Sequence, residues 1–194
     1  FLGASGKVSA KFQNRNEKIK SYADTSLSLS VRLWFLVAVT GQWFFAYYII
    51  RLYGGTVISG NYEAIKFLPH GYEAGNVIGN IFLAAHMFLA AVITIGGPLQ
   101  LIPKLRSYAP RFHRWNGRIY LLAAYAISID SFYLILSGRN LVGNGDPFQY
   151  IAILLNAVLI VAFATMTLRY AMAQNFTAHR RWALRLFLVV SGVW

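Results

Sequence analysis

Long apolar stretches without charge are the feature that most limits what this chain can fold into. Three stretches carry no charged residue: Leu33–Ile50, Ile78–Ile102 and Phe148–Leu168. A fourth, Ile119–Leu136, contains one, Asp130. A helix needs about 20 apolar residues to cross a bilayer core, and an almost uncharged run of about 18 or more indicates a membrane span. The sequence therefore predicts an all-α integral membrane protein, a helical bundle with four complete transmembrane helices.

A fifth apolar stretch starts near Leu186 and is still apolar at Trp194. Because the sequence also begins with Phe1 rather than Met, we expect it to be truncated, with the bundle continuing beyond residue 194. We predict two parts: a basic cytoplasmic segment at 1–32 and a transmembrane bundle at 33–194. The chain has no cysteine, which excludes disulfides and thiolate metal sites within it.

The positive charge is confined to one side of the predicted bundle. The net charge is +12, and 15 of the 18 basic residues lie in 1–32, 103–118 and 169–185. These three segments share a side if successive helices alternate in direction. The positive-inside rule therefore predicts that they and the N-terminus are cytoplasmic. Nucleic-acid binding is a poor interpretation, because no separate soluble basic domain carries the charge.

Two similar motifs begin the third and fifth predicted spans. The first reads HRWNGR from His113, and the second reads HRRWALR from His179. Arginine and tryptophan at a cytoplasmic membrane entry are typical of headgroup anchors, and basic residues there are attracted to anionic lipid by about 1 kcal/mol each. We therefore expect anionic headgroups to be bound by these residues: Arg114, Trp115, Arg118, Arg180, Arg181, Trp182 and Arg185.

Polar residues inside the spans form a second candidate site. His86, Asp130 and Asn156 each lie eight residues from the outer end of their span, about 12 Å deep. Gln42 lies at a similar level in the first span. Intramembrane polar groups face the bundle interior, since exposing them to lipid is costly. The sequence therefore predicts a buried polar layer of these four residues.

Within that layer we expect His86 and Asp130 to meet. Such a pair could relay protons, hold a quinone headgroup or orient a ligand histidine. The alternative is a hydrogen-bonded cluster that only fixes helix packing. The longest predicted outer loop, which contains His70, is predicted to hold a short helix near Tyr62–Phe67.

Haem b is a further candidate. It needs two histidines that face each other at matched depth, and His113 and His179 are matched at the cytoplasmic rim. His86 has no histidine at its own depth unless His70 folds inward. The candidate cofactor-binding residues are therefore His86, His113 and His179, with the headgroup anchor as the alternative interpretation of the two rim motifs.

The chain from His86 onward resembles a bacterial family of multi-pass membrane proteins catalogued as domain of unknown function 2306. Three motifs carry the resemblance: HMFLAAVITIGGPLQLIPKLR, HRWNGRIY and HRRWALR. It implies a membrane fold, further spans beyond this sequence and a bacterial cytoplasmic membrane, and it supplies no activity. The resemblance carries over these positions: His86, Gly97, Pro98, Gln100, His113, Arg114, Gly117, Arg118, Tyr120, His179, Arg180, Trp182 and Arg185.

Three classes of function follow from these features. The first is a non-enzymatic accessory or structural subunit that packs against other membrane proteins, which fits the absence of a recognised catalytic motif. The second is electron transfer with haem b or quinone. The third is a small transporter or proton relay that uses His86 and Asp130. We expect the accessory role.

Overall fold

The computed structural model describes residues 3–61, 72–138 and 146–192, with side chains from residue 14 onward. Throughout these ranges the regular elements are helices. Four of them are long and apolar enough to cross a membrane: Asn14–Ser59, Val77–Leu101, Pro110–Leu136 and Pro147–Met172. This confirms the predicted all-α membrane bundle. The predicted helix at Tyr62–Phe67 and His70 lie outside the described residues.

The elements follow one another along the chain with short connections. They are α1 (Gly3–Ile49), a π-helix (Ile50–Gly54), α2 (Gly55–Ser59), α3 (Val77–Leu101), α4 (Pro103–Tyr108), α5 (Pro110–Leu136), α6 (Pro147–Met172) and α7 (Phe176–Ser191).

Local sequence signals set where three of the later helices begin. Side-chain oxygens of Asn76, Asp146 and Asn175 accept hydrogen bonds from backbone N–H groups in the first turns of α3, α6 and α7. Such caps satisfy donors that would otherwise have no partner inside the helix. Proline occupies the first helical position of α5 and α6, where its missing N–H costs nothing.

The chain divides into two compact units, residues 1–41 and 42–194. The first is one continuous stretch of α1 whose described side chains are mostly exposed. In the second, α3 packs on α5, α5 on α6, and α6 on α7. Small residues allow these helices to approach closely. The main core of this unit is formed by Ile93, Tyr120, Ala123, Ala124, Ile160, Ala164, Leu186 and Val190.

Two helices extend beyond the limits predicted from the apolar stretches. The first predicted span, Leu33–Ile50, forms part of a longer helical segment that continues through the π-helix to Ser59. The fifth helix begins at Phe176, ten residues before Leu186, so it includes the basic motif. A hydropathy pattern marks only the apolar part of a helix, whereas backbone hydrogen bonding continues into polar sequence. The boundary predicted at residue 32 stays a prediction.

The α3–α5 contact is close because α3 carries adjacent glycines there. A Cβ atom on Gly96 would lie 3.0 Å from Asn116 Oδ1, and one on Gly97 would lie 3.1 Å from a ring carbon of Tyr120. Pro98 follows inside the helix without ending it, and α3 continues to Leu101. The glycines therefore fix the separation of the two helices that carry the candidate site.

Candidate functional site

A histidine and a carboxylate meet between the spans α3 and α5. His86 Nδ1 lies 2.7 Å from Asp130 Oδ2, a distance typical of a charge-assisted hydrogen bond. The two residues are 44 positions apart, and the packing of α3 on α5 joins them. Of the polar layer expected from sequence, this is the pair that the structure brings together.

The two ends of this pair differ in their surroundings. The Asp130 side chain is 5% exposed and that of His86 is 22% exposed. A carboxylate can only accept, so when Asp130 is ionised the proton of this bond is on His86 Nδ1. Asp130 Oδ1 is buried without a hydrogen-bond partner. Within the described part of the chain, His86 Nε2 also makes no hydrogen bond, and it belongs to the more accessible residue.

An aromatic pair lies one helical turn further outward. Phe82 on α3 stacks on Tyr133 on α5, with ring centroids 3.8 Å apart and planes 22° from parallel. Phe82 precedes His86 by four residues, and Tyr133 follows Asp130 by three, so each ring shares a helix face with one member of the pair. The histidine–carboxylate pair is thus next to an aromatic wall that spacing did not reveal, because the sequence is rich in aromatic residues throughout.

The other two members of the expected layer lie elsewhere. Gln42 Nε2 donates to Ser191 Oγ at the end of α7, at 2.8 Å, and Gln42 Oε1 is buried without a partner. The Asn156 amide is partly buried and has no hydrogen-bond partner among the described residues. Ser191 was missed from the sequence. Its only signal was a hydroxyl within an apolar stretch, which does not indicate a partner helix.

Toward the other end of α3, two amide side chains cross to α5 or receive it. Gln100 Nε2 donates to the His113 carbonyl at 3.0 Å, and Asn116 Nδ2 donates to the Gly96 carbonyl at 2.9 Å. Between them and Asp130 lies Tyr120, whose hydroxyl is buried without a partner. The α3–α5 interface therefore carries polar groups along much of its length, in addition to its packed glycines.

The two basic motifs share a local geometry. The Arg118 guanidinium lies 5.1 Å from the ring centre of Trp115, and that of Arg185 lies 4.5 Å from the ring centre of Trp182. In each motif the arginine follows the tryptophan by three residues, so both copies form a cation–π pair along one helix face. The remaining arginines of the motifs are exposed: Arg114, Arg180 and Arg181.

The motif histidines are held differently from each other. His179 Nδ1 lies 3.0 Å from the Thr167 carbonyl, an arrangement that leaves Nε2 free, as in ligand histidines. His113 Nδ1 is buried and has no hydrogen-bond partner. Only one ring of the pair thus has the support that orients an axial ligand, so haem b binding by His113 and His179 stays a prediction. Among the described residues, no three His, Asp or Glu side chains group as a metal site.

These features define a multi-pass helical membrane protein with a histidine–carboxylate pair between two of its spans. The chain belongs to a family described as predicted membrane protein (DUF2306), whose sequence profile matches residues 83–193. The match includes His86, Asp130 and both basic motifs, and Gln42 lies outside it. No curated protein and no solved structure matches this chain.

Proposed function

We propose that this membrane protein is a small proton relay or proton-coupled transporter, and that the His86–Asp130 pair is its proton-binding group. The observation that carries the proposal is the 2.7 Å contact between Nδ1 and Oδ2 inside the spans. Ionisable groups in a membrane are costly, and those that persist mark proton and ion pathways.

The chemistry of the pair suits reversible protonation. Imidazole is the side chain that exchanges a proton most readily near neutral pH. Asp130 is buried beside it, so its carboxylate stabilises the imidazolium that forms when Nε2 takes a proton. The exchange occurs at the His86 edge, since that residue is the more exposed of the two.

The remainder of the interface supplies polar groups for a route to the opposite end of the spans. Tyr120 lies ten residues before Asp130 on α5, about 15 Å along the helix. Its hydroxyl is buried without a partner. A single hydrogen bond cannot cover that distance, so the route requires internal water between the two groups.

The test is proton uptake by sealed liposomes that contain the purified protein and a pH-sensitive dye. A potassium diffusion potential supplies the driving force. We expect uptake with the wild type and at least tenfold less with Asp130→Asn or His86→Gln. The matched controls are Asp24→Asn, which removes an exposed carboxylate, and His179→Gln, which removes a histidine outside the pair. Uptake by Asp130→Asn equal to that of the wild type overturns the proposal.

The accessory-subunit role is the second candidate, and the surface of α1 favours it. Four aromatic side chains near the end of this helix are exposed, at 45% to 71%. Exposed aromatic clusters are typical of protein interfaces, although lipid also covers such surfaces. The exposed residues are Trp43, Phe44, Tyr47 and Tyr48.

Native electrophoresis of membranes solubilised in mild detergent tests this second role. An accessory subunit migrates within a larger assembly, and the double variant Phe44→Ala, Tyr47→Ala should release it. The control is Phe148→Ala with Ile151→Ala, which removes exposed apolar side chains from α6 instead. Migration of the wild type at the size of a single chain in detergent contradicts the accessory role.

A further inference from the structure

We propose that the accessible edge of His86 binds the headgroup of a membrane quinol, and that the quinol hydroxyl donates to His86 Nε2. This rests on the proposed function in one respect, because the same imidazole is the proton acceptor in both. It goes further by naming the chemical class of the ligand that reaches this edge from the bilayer.

The hydrogen-bonding capacity of the pair selects the ligand. Asp130 holds the Nδ1 proton at 2.7 Å, so a neutral His86 presents Nε2 as an acceptor. A quinol hydroxyl is a matching donor. When the imidazole carries both protons, Nε2 becomes a donor and suits the carbonyl of a quinone instead. One side chain therefore recognises either form, according to its own protonation.

The neighbouring residues suit a flat, apolar headgroup. The stacked rings of Phe82 and Tyr133 lie one turn from the pair and form an aromatic wall on its outer side. Planar rings pack well against such a wall. Ile81 and Ile129 lie beside these positions and are more than 60% exposed, so an isoprenoid tail has apolar surface to follow from the membrane. A small polar solute lacks any use for these contacts.

Two other ligands fit this position less well. A metal ion requires several ligating side chains, and the described residues contain no group of three around the pair. A haem with two histidine ligands requires a second histidine at the depth of His86. The other histidines described, His113 and His179, lie in the first turns of α5 and α7, far along the bundle from His86.

Binding of decylubiquinol to the purified protein in detergent, measured by equilibrium dialysis under reducing conditions, tests the inference. We expect saturable binding by the wild type. We expect His86→Gln to weaken it about tenfold, as the loss of one well-placed hydrogen bond does. Phe82→Ala should weaken it several-fold. His179→Gln is the matched control and should leave binding unchanged.

A second measurement uses only the wild-type protein, so it does not depend on the folding of a variant. The dimethyl ether of decylubiquinol keeps the ring and the tail but cannot donate a hydrogen bond. We expect it to bind about tenfold more weakly than the quinol. Equal binding of quinol and ether, or no saturable binding of the quinol, overturns the inference.

The proposed function and this inference fail in different ways. Proton uptake that depends on Asp130, without quinol binding, refutes only the quinol site. Quinol binding that depends on His86, without proton uptake in liposomes, refutes the relay and leaves a quinol-binding membrane protein.

Discussion

At the scale of single residues, the two oxygens of Asp130 have unequal surroundings. Oδ2 accepts from His86, whereas Oδ1 is buried without a partner. A buried carboxylate in this state depends on its one hydrogen bond to offset desolvation. Removal of the imidazole therefore costs more than the bond itself, because it leaves a second unsatisfied atom.

We predict that His86→Ala lowers the free energy of unfolding by about 1–3 kcal/mol, the penalty for one orphaned buried polar group. Thermal denaturation in detergent, followed by circular dichroism, measures the loss. Asn156→Ala is the control, since its amide has no hydrogen-bond partner in the described ranges, and it should change stability little. Equal shifts for the two variants would show that Asp130 does not depend on His86.

At the scale of helices, sequence determined the type of element well and its limits poorly. Apolar length predicted four spans, because only a helix satisfies its backbone hydrogen bonds in lipid without partners. It did not predict that the first helix continues past Ile50 through a π-helical turn. Such a turn depends on tertiary contacts, and here it packs against α3.

The α3–α5 contact yields a prediction about small residues. Gly97→Ala places a methyl group 3.1 Å from a Tyr120 ring carbon and 3.2 Å from a Phe187 ring carbon. Both rings are buried, so overpacking should destabilise the protein by about 1–3 kcal/mol. Gly41→Ala is the control, since nothing lies within 4 Å of a Cβ there. A denaturation midpoint for Gly97→Ala at or above that of Gly41→Ala would be inconsistent with close packing.

The two basic motifs allow a test of anchor against haem. We predict that Arg114→Gln with Arg181→Gln lowers the amount of anionic lipid retained through purification, because both guanidiniums are exposed at helix starts. Native mass spectrometry counts the retained lipids. The control is His113→Gln with His179→Gln, which should retain as much lipid as the wild type. A Soret absorption band that disappears in either single histidine variant would instead indicate haem ligation.

At the scale of the whole molecule, helical spacing placed His86 and Asp130 at a common depth and on faces that could meet, and the structure joins them. The same reasoning could not show that Gln42 bonds to Ser191, since depth along a helix does not reveal which neighbour a side chain faces. The aromatic wall of Phe82 and Tyr133 was equally hidden, because aromatic residues occur on every span.

The orientation of the bundle in the membrane is the last prediction. Residues 103–118 hold five basic residues, and the positive-inside rule places them in the cytoplasm together with the N-terminus. The chain has no cysteine, so a single cysteine at Ser107, which is exposed in α4, is a clean reporter. An impermeant maleimide added to intact cells should leave Ser107→Cys unlabelled until the membrane is permeabilised. Ser59→Cys, exposed at the end of α2, is the matched control and should be labelled in intact cells. The reverse pattern would invert the topology, and with it the side from which protons enter the proposed relay.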